Sequence, residues 1–146
     1  MQICLPDVNI LIALHDPKHV GHDKAHEWFD KEGQHGWATC PLTENGFVRV
    51  FTQTQYPNNV HGVSTALYIL ENMVLVYGAT HHFWSDSISL RDKTLLNPTI
   101  VAGPKQITDL YLLGLCQQNS GTLVTLDTRI TTTAIVSPHS DLLHIL

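Results

Sequence analysis

Short apolar segments of strand length alternate with segments of helical periodicity along the whole chain. Strands that recur with helices between them are typical of βαβ units, in which parallel strands form a sheet that helices cover on both faces. The sequence therefore predicts one α/β domain over residues 1–146, with three layers and a mostly parallel central sheet. A chain of 146 residues is long enough for such a domain to bury a substantial core.

The boundaries of the elements follow from apolar runs and from breaker residues. Strands are expected at residues 2–6, 37–40, 81–84, 122–126 and 142–146. Helices are expected at residues 8–15, 22–31, 41–54, 63–73 and 104–119. Pro104 suits the first turn of the last helix, and Gly121 is expected to end it. Residues 85–103 carry no readable pattern.

Composition and charge narrow the function classes. The chain is 43% hydrophobic and 14% charged, which is typical of a globular protein. Its net charge is −5, and its eight Lys and Arg residues form no run. This argues against a broad basic face for nucleic acid, so a polyanionic ligand would need another source of positive charge.

Targeting signals and cysteine usage indicate a cytoplasmic protein. The apolar stretches are shorter than the ~20 residues that span a bilayer, and the first of them is interrupted by Pro6 and Asp7. No membrane association and no secretory signal are therefore expected. The three cysteines are odd in number and lie in apolar surroundings, which predicts buried thiols in a reducing compartment.

Four of the thirteen acidic residues lie where a carboxylate is costly. On a helix, residues at i+3, i+4 and i+7 share the face of residue i, and for Asp7 these are Ile10, Leu11 and Leu14. For Glu44 the corresponding residues are Phe47, Val48 and Phe51, and for Asp109 they are Leu112, Leu113 and Cys116. The pattern is less clear for Asp127, whose face holds Ile130, Thr131 and Ala134. By contrast, Asp23 and Glu27 share faces with polar residues, and Glu71 and Asp92 fit the apolar pattern only in part.

Three of these four acids closely follow a predicted strand. Because the carboxyl ends of parallel strands share one edge of a sheet, we expect Asp7, Glu44, Asp109 and Asp127 to gather there. Clustered carboxylates repel one another unless a cation lies among them, and oxygen ligands favour Mg²⁺ or Mn²⁺ over zinc. The alternative is that each acid is an ordinary turn or N-cap residue, which the helix dipole alone would favour.

Four motifs around these acids occur in a fixed order. They are Leu5-Pro6-Asp7-Val8-Asn9-Ile10-Leu11, Pro41-Leu42-Thr43-Glu44-Asn45-Gly46-Phe47, Ile107-Thr108-Asp109-Leu110-Tyr111-Leu112 and Leu123-Val124-Thr125-Leu126-Asp127. In this order and at these separations, the chain resembles the PIN-domain ribonucleases, in particular the VapC-type toxins of bacterial toxin–antitoxin pairs. Any one motif is common, but the ordered set of four is specific, and the resemblance covers essentially the whole chain.

The resemblance implies a three-layer PIN-like fold and a Mg²⁺-dependent endoribonuclease, with Mn²⁺ as a substitute. Such a protein would form a homodimer, cleave single-stranded or structured RNA, and be inhibited by a cognate antitoxin. The acids that match the main metal ligands of the family are Asp7 and Asp109, whereas Glu44 and Asp127 match those that complete the acidic pocket. The residues that match supporting positions are Asn9 and Thr125. This sequence departs from the family pattern at Leu110 and Ile130, neither of which is a ligand.

Three cations lie near the motif acids in sequence and are candidates for contacts with the phosphates that flank the cleaved bond. They are Arg49, Lys105 and Arg129. The alternative, favoured for all three, is that they are solvated surface charges.

Other metal and phosphate chemistries fit the sequence less well. A zinc site from His15, His19, His22 and His26 lacks an HExxH or a paired CxxC motif, and Pro17 and Gly21 interrupt the segment. A haloacid-dehalogenase-like phosphatase needs a carboxylate where this chain has Asn9. A response-receiver fold needs adjacent acids after the first strand and a lysine at a late strand end. A catalytically silent PIN-fold binding module stays open as the alternative from another class.

Overall fold

The central sheet of the computed structural model is entirely parallel within the residues that the structure describes, 2–101 and 103–146. Its strand order is β3-β2-β1-β4-β5. The strands are β1 (Cys4–Pro6), β2 (Trp37–Thr39), β3 (His81–Phe83), β4 (Thr122–Thr125) and β5 (Leu143–Ile145). The predicted α/β class is confirmed, and the strands occur where the apolar runs indicated, each one to two residues shorter.

The helices also follow the periodic segments. They are α1 (Val8–His15), α2 (His22–Lys31), α3 (Pro41–Phe51), α4 (Val63–Val76) and α5 (Ile107–Gln118). The prediction that Pro104 begins the last α-helix was wrong, because residues Pro104–Gln106 form a separate 3-10 turn. Asp109 consequently lies in the first turn of α5 and not in the second.

The end of α5 differs from the expectation that Gly121 ends it. The residue with positive φ is Ser120, at 54°, and it follows the C-cap Asn119. Gly121 is required for a different reason, since a Cβ at this position would lie 2.7 Å from the backbone oxygen of Ile3 and 2.4 Å from the Trp84 ring. The glycine thus allows β4 to approach the start of β1.

Alternate residues of the strands face two separate cores. In β1, Cys4 packs with α1 and α2, whereas Leu5 packs on the opposite face with α5. In β4, Leu123 and Val124 divide in the same way. The central strands β1, β2 and β4 are buried along their whole length, as expected for strands covered on both faces, which is why their runs were readable in the sequence. The edge strands β3 and β5 are partly exposed.

Residues 85–103, for which no pattern was readable, help to cover the α5 face; Ala102 lies outside the described residues. Leu95 and Leu96 are buried in that core, and Leu96 forms an antiparallel bridge with Ile135. The predicted burial of the cysteines is confirmed, and burial raises the pKa of the Cys4 thiol to about 11. No helix in the described part of the chain is long and apolar enough to cross a membrane.

Candidate active site at the carboxyl edge of the sheet

Asp7 lies directly after β1 and forms the N-cap of α1. Its Oδ1 accepts a hydrogen bond of 2.9 Å from the backbone N–H of Ile10, and its Oδ2 accepts one of 2.6 Å from the hydroxyl of Thr125. The residue is only 7% exposed. Burial raises the pKa of the Asp7 carboxyl to about 6, and the charge of Asp109 acts in the same direction, whereas the hydrogen bonds from Thr125 and Ile10 oppose it.

Asp109 connects Asp7 electrostatically to the last of the four acids. It is half-buried in the first turn of α5. Burial raises the pKa of Asp109, as does the charge of Asp127, and Arg129 partly offsets both effects. The charge of Asp109 therefore acts on Asp7, which follows β1, and the charge of Asp127, which follows β4, acts on Asp109.

Asp127 follows β4 at the start of a turn and not on a helix. The apolar residues found at helical spacing after Asp127 therefore do not share a helix face with it. Its backbone N–H donates to Oγ1 of Thr125 over 3.0 Å. Arg129 holds the carboxylate with two side-chain bonds, Nε to Oδ1 and Nη2 to Oδ2, each of 3.0 Å, and with a backbone bond of 2.9 Å. These bonds from Arg129 lower the pKa of Asp127.

Glu44 lies in the first turn of α3, beside the end of β2. Its Oε1 accepts a hydrogen bond of 2.7 Å from Thr39, whose hydroxyl oxygen lies 2.8 Å from Nε2 of His81 on β3. Since the Thr39 hydroxyl donates to Glu44, its oxygen accepts the hydrogen bond from an Nε2–H of His81. Burial lowers the pKa of His81, and the charge of Glu44 opposes this effect.

A close approach of α3 to α1 keeps Glu44 at the same edge of the sheet as Asp7. A Cβ on Gly46 would lie 2.6 Å from Cγ2 of Val8, the residue that follows Asp7. The strand that Glu44 contacts, β2, is also the direct neighbour of β1. Glycine at position 46 thus lets α3 pack against the start of α1.

Asp7, Asp109 and Asp127 interact through their charges, whereas Glu44 lies at the end of the neighbouring strand β2 and contacts Thr39 instead. Among residues 2–101 and 103–146, no three His, Cys, Asp or Glu side chains form a group that could hold a metal ion as they stand. Asn9, a predicted supporting residue, is exposed, and its backbone N–H lies beside Asp7. Glu71 and Asp92, the two acids that fit the apolar pattern only in part, are both exposed.

Thr39 and His81 were missed as contributors to the site. The available signal was a threonine at the last position of β2, matching Thr125 at the last position of β4. Both strands flank β1, both threonines are fully buried, and both donate to an acid at the strand ends. A buried hydroxyl that ends an apolar strand needs a partner, and here the partners are the candidate catalytic acids.

The histidines between α1 and α2 have a structural explanation. His15 Nδ1, His22 Nδ1 and His26 Nε2 lie 2.6–2.8 Å from backbone oxygens of α1, those of Leu11, Ala13 and Leu14 respectively. The carbonyl groups of Ala13 and Leu14 lie in the last turn of α1, where intrahelical donors are lacking, so the rings of His22 and His26 satisfy them. In the described part of the chain these histidines form no metal-binding group.

The donor set suits a hard divalent cation. The candidate ligands are all carboxylate oxygens, which Mg²⁺ and Mn²⁺ prefer. Burial raises the pKa of Asp7 and of Asp109 by more than their polar and charged neighbours lower it, and a cation would favour the charged carboxylates. Holding one would require the carboxylates to draw closer together and Asp127 to share its oxygens with more than Arg129.

A family model described as PIN domain matches residues 4–136, which include all four acids. The chain therefore belongs to the PIN-domain family. Within it, the chain is similar to three proteins of Mycobacterium tuberculosis strain H37Rv. "Ribonuclease VapC44" is 40% identical over 131 residues, 90% of each chain. "Ribonuclease VapC38" is 38% identical over 136 residues, 93% of each. "Ribonuclease VapC39" is 38% identical over 125 residues, 84% of this chain and 87% of the relative. The resemblance drawn from the four motifs is confirmed.

Proposed function

We propose that the chain is a metal-dependent endoribonuclease that cleaves single-stranded or structured RNA, and that it is the toxin of a toxin–antitoxin pair. The observation that carries the proposal is the meeting of Asp7 and Asp127 at Thr125, at the carboxyl edge of a PIN-type sheet, with Asp109 in the same cavity wall as Asp127. The relatives named ribonucleases match over most of the chain. A buried carboxylate without a cation is costly, so a fold that keeps Asp7 buried gains from one.

Asp7 and Asp109 would hold Mg²⁺, with Mn²⁺ as a substitute. When bound, the ion supplies Lewis-acid polarisation of the scissile phosphate and offsets the charge of the aspartates. Thr125 and the N–H of Ile10 fix both oxygens of Asp7, so this carboxylate keeps its orientation without the ion. Such preorganisation of a ligand is what a precise site requires.

Glu44 and Asp127 would complete the acidic pocket, one of them accepting a proton from the attacking water. Thr39 orients Glu44 from the side of β2, and Thr125 positions the backbone of Asp127 from the side of β4. Arg129 would contact a phosphate next to the cleaved bond, since its charge already lies beside Asp109 and Asp127. This would help an acidic protein to bind an acidic polymer.

Cleavage of end-labelled RNA by the purified protein tests the proposal. The wild type should cleave with millimolar Mg²⁺ and not with EDTA, and Asp109→Asn should reduce cleavage by at least about a hundredfold, in the range for loss of a catalytic group. Asp30→Asn, which removes an exposed acid of α2, is the matched control. Hydrolysis of phosphate monoesters without RNA cleavage would indicate another phosphohydrolase, and Mg²⁺ binding without any hydrolysis would indicate a silent binding module.

The proposal includes two protein partners, a second copy of the chain and a cognate antitoxin. Both are carried over from the family. Light scattering of the purified protein measures the oligomeric state, and a monomer at all accessible concentrations would remove the homodimer from the proposal. Co-expression with the product of the adjacent gene should suppress RNA cleavage if that product is the antitoxin.

A further inference from the structure

A cavity of about 600 Å³ opens beside two of the candidate catalytic acids. It lies between the start of α5 and the loop after β4, and Asp109 and Asp127 form part of its wall. Its size is within the range of ligand-binding pockets, about 300–1,000 Å³, and it can accept one nucleotide unit. The cavity is thus continuous with the position where a scissile phosphate would lie.

The deep wall of the cavity is apolar. Leu110 and Leu113 of α5 contribute side chains that are 3% and 2% exposed, and Ile130 and Ala134 contribute from the loop after β4. Thr131 and Thr133 also line the cavity, and their hydroxyl oxygens lie 2.9 Å apart. An apolar wall with a few hydroxyl groups suits a flat heteroaromatic ring, which has two apolar faces and a polar edge.

The charged residues of the wall suit the remainder of a nucleotide. Lys105 and Arg129 line the same cavity as the two aspartates. Both cations are exposed, so phosphates on either side of a bound base can reach them. A protein partner with an apolar side chain would use the apolar wall, but it would gain less from cations placed beside the acids.

We infer that this cavity binds the nucleobase next to the scissile phosphate, with Leu110, Leu113, Ile130 and Ala134 against the ring. The inference rests on the proposed ribonuclease function and adds to it a binding site for one unstacked base. Sequence-specific recognition of RNA commonly uses single-stranded bases that are splayed out of the stack. The site therefore favours cleavage where a base can leave its stack, in a loop or a single-stranded segment.

A series of oligonucleotides with one abasic position each tests the inference. Binding is followed by fluorescence anisotropy with Ca²⁺ in place of Mg²⁺, and cleavage is followed separately with Mg²⁺. For the wild type, removal of one particular base beside the cleaved bond should weaken binding roughly tenfold, about the effect of losing one well-buried apolar group. Removal of bases at distant positions should have little effect.

Ala134→Leu fills the cavity without changing an acid or a cation. It should weaken binding of the intact oligonucleotide by a similar factor, and the abasic substitution should then cost nothing further, as expected when two changes remove one interaction. Ala79→Leu, at an exposed position after α4, is the matched control and should behave like the wild type. If Ala134→Leu fails to fold, Thr133→Leu at an exposed cavity position replaces it.

The outcomes separate this inference from the proposed function. Base-dependent binding without cleavage supports the cavity and contradicts the ribonuclease. Cleavage that is indifferent to every abasic position, or an Ala134→Leu variant that still distinguishes them, overturns the cavity inference alone. The cavity inference is also overturned if Ala134→Leu leaves RNA binding intact and weakens only the inhibition by the antitoxin. The same holds if the wild type does not bind the oligonucleotide at all.

Discussion

The hydroxyl of Thr125 donates a hydrogen bond of 2.6 Å to Oδ2 of Asp7, joining the end of β4 to the start of α1. The same oxygen accepts a bond of 3.0 Å from the backbone N–H of Asp127. One buried side chain therefore sets the positions of two of the candidate catalytic acids. Thr39 has the corresponding place at the end of β2, where it donates to Glu44.

Replacing Thr125 with Val should destabilise the protein by about 2 kcal/mol at pH 7.5, because a hydrogen bond to a charged, buried group is worth roughly 1.5–3 kcal/mol. Thr125→Ser retains the hydroxyl and should lose much less. The measurement is urea unfolding in EDTA. A larger loss in Thr125→Ser than in Thr125→Val would mean that the methyl group, and not the hydrogen bond, stabilises this position.

Asp7→Asn should stabilise the metal-free protein at neutral pH. The folded pKa of about 6 lies above the value of about 3.9 for an unfolded chain. A group with a raised folded pKa contributes stability that is fully present below pH 4 and is lost as the pH rises through 6. That loss is of the order of 3 kcal/mol for two pKa units, and the pKa of about 6 already includes the effect of the hydrogen bonds from Thr125 and Ile10.

Melting curves in EDTA at pH 7.5 and pH 4 measure this effect. Asp7→Asn should melt above the wild type at the higher pH and lose that advantage at the lower one. Asp30→Asn, at an exposed position, should show no such crossover. A variant that melts well below the wild type at both values would mean that Asp7 serves as a structural cap without strain from its charge.

The centre of the parallel sheet was readable from the sequence because β1, β2 and β4 are buried along their whole length. The N-terminus of α1 was equally readable, since Asp7 caps it and Ile10, Leu11 and Leu14 on its face are all buried. The start of α5 was not, because proline is compatible with the first residue of a 3-10 turn as well as with that of an α-helix. Three further residues were needed before the α-helical bonds began.

The candidate site was predictable as a set of acids but not as a set of contacts. An acid after an apolar run could be recognised locally, whereas the bonds of Thr39 with Glu44 and His81 span five and 42 residues. The bond between Asp7 and Thr125 spans 118 residues. Periodicity reports which face of an element is buried, and it holds no information about which distant hydroxyl meets which carboxylate.

Millimolar Mg²⁺ should raise the melting temperature of the wild type. An ion that binds only the folded chain stabilises it by mass action, by about 1.4 kcal/mol at ten times its dissociation constant. Asp109→Asn should reduce the shift because it removes a proposed ligand, whereas Asp30→Asn should retain it. Absence of a shift at any Mg²⁺ concentration the protein tolerates would contradict a metal site at these acids.

Arg129→Gln should tighten Mg²⁺ binding and weaken RNA binding. Arg129 holds both oxygens of Asp127 and also lowers the pKa of Asp109, so its positive charge opposes a cation at the same carboxylates. The Arg129 side chain is 84% exposed and that of Asp127 is 28% exposed, and pairs with an exposed cation at the surface contribute little to stability, so the melting temperature in EDTA should match that of the control.

Arg91→Gln is that control, since Arg91 is an exposed cation outside the acidic cluster and outside the cavity wall. Mg²⁺ affinity comes from the melting shift, and RNA affinity from anisotropy with Ca²⁺. If Arg129→Gln changes neither, the pair with Asp127 is an ordinary surface ion pair. If it tightens Mg²⁺ binding without weakening RNA binding, Arg129 acts as a counter-ion for the acidic pocket in the absence of metal. The contact with the RNA phosphate then has to come from another cation of the cavity wall, and Lys105 is the candidate.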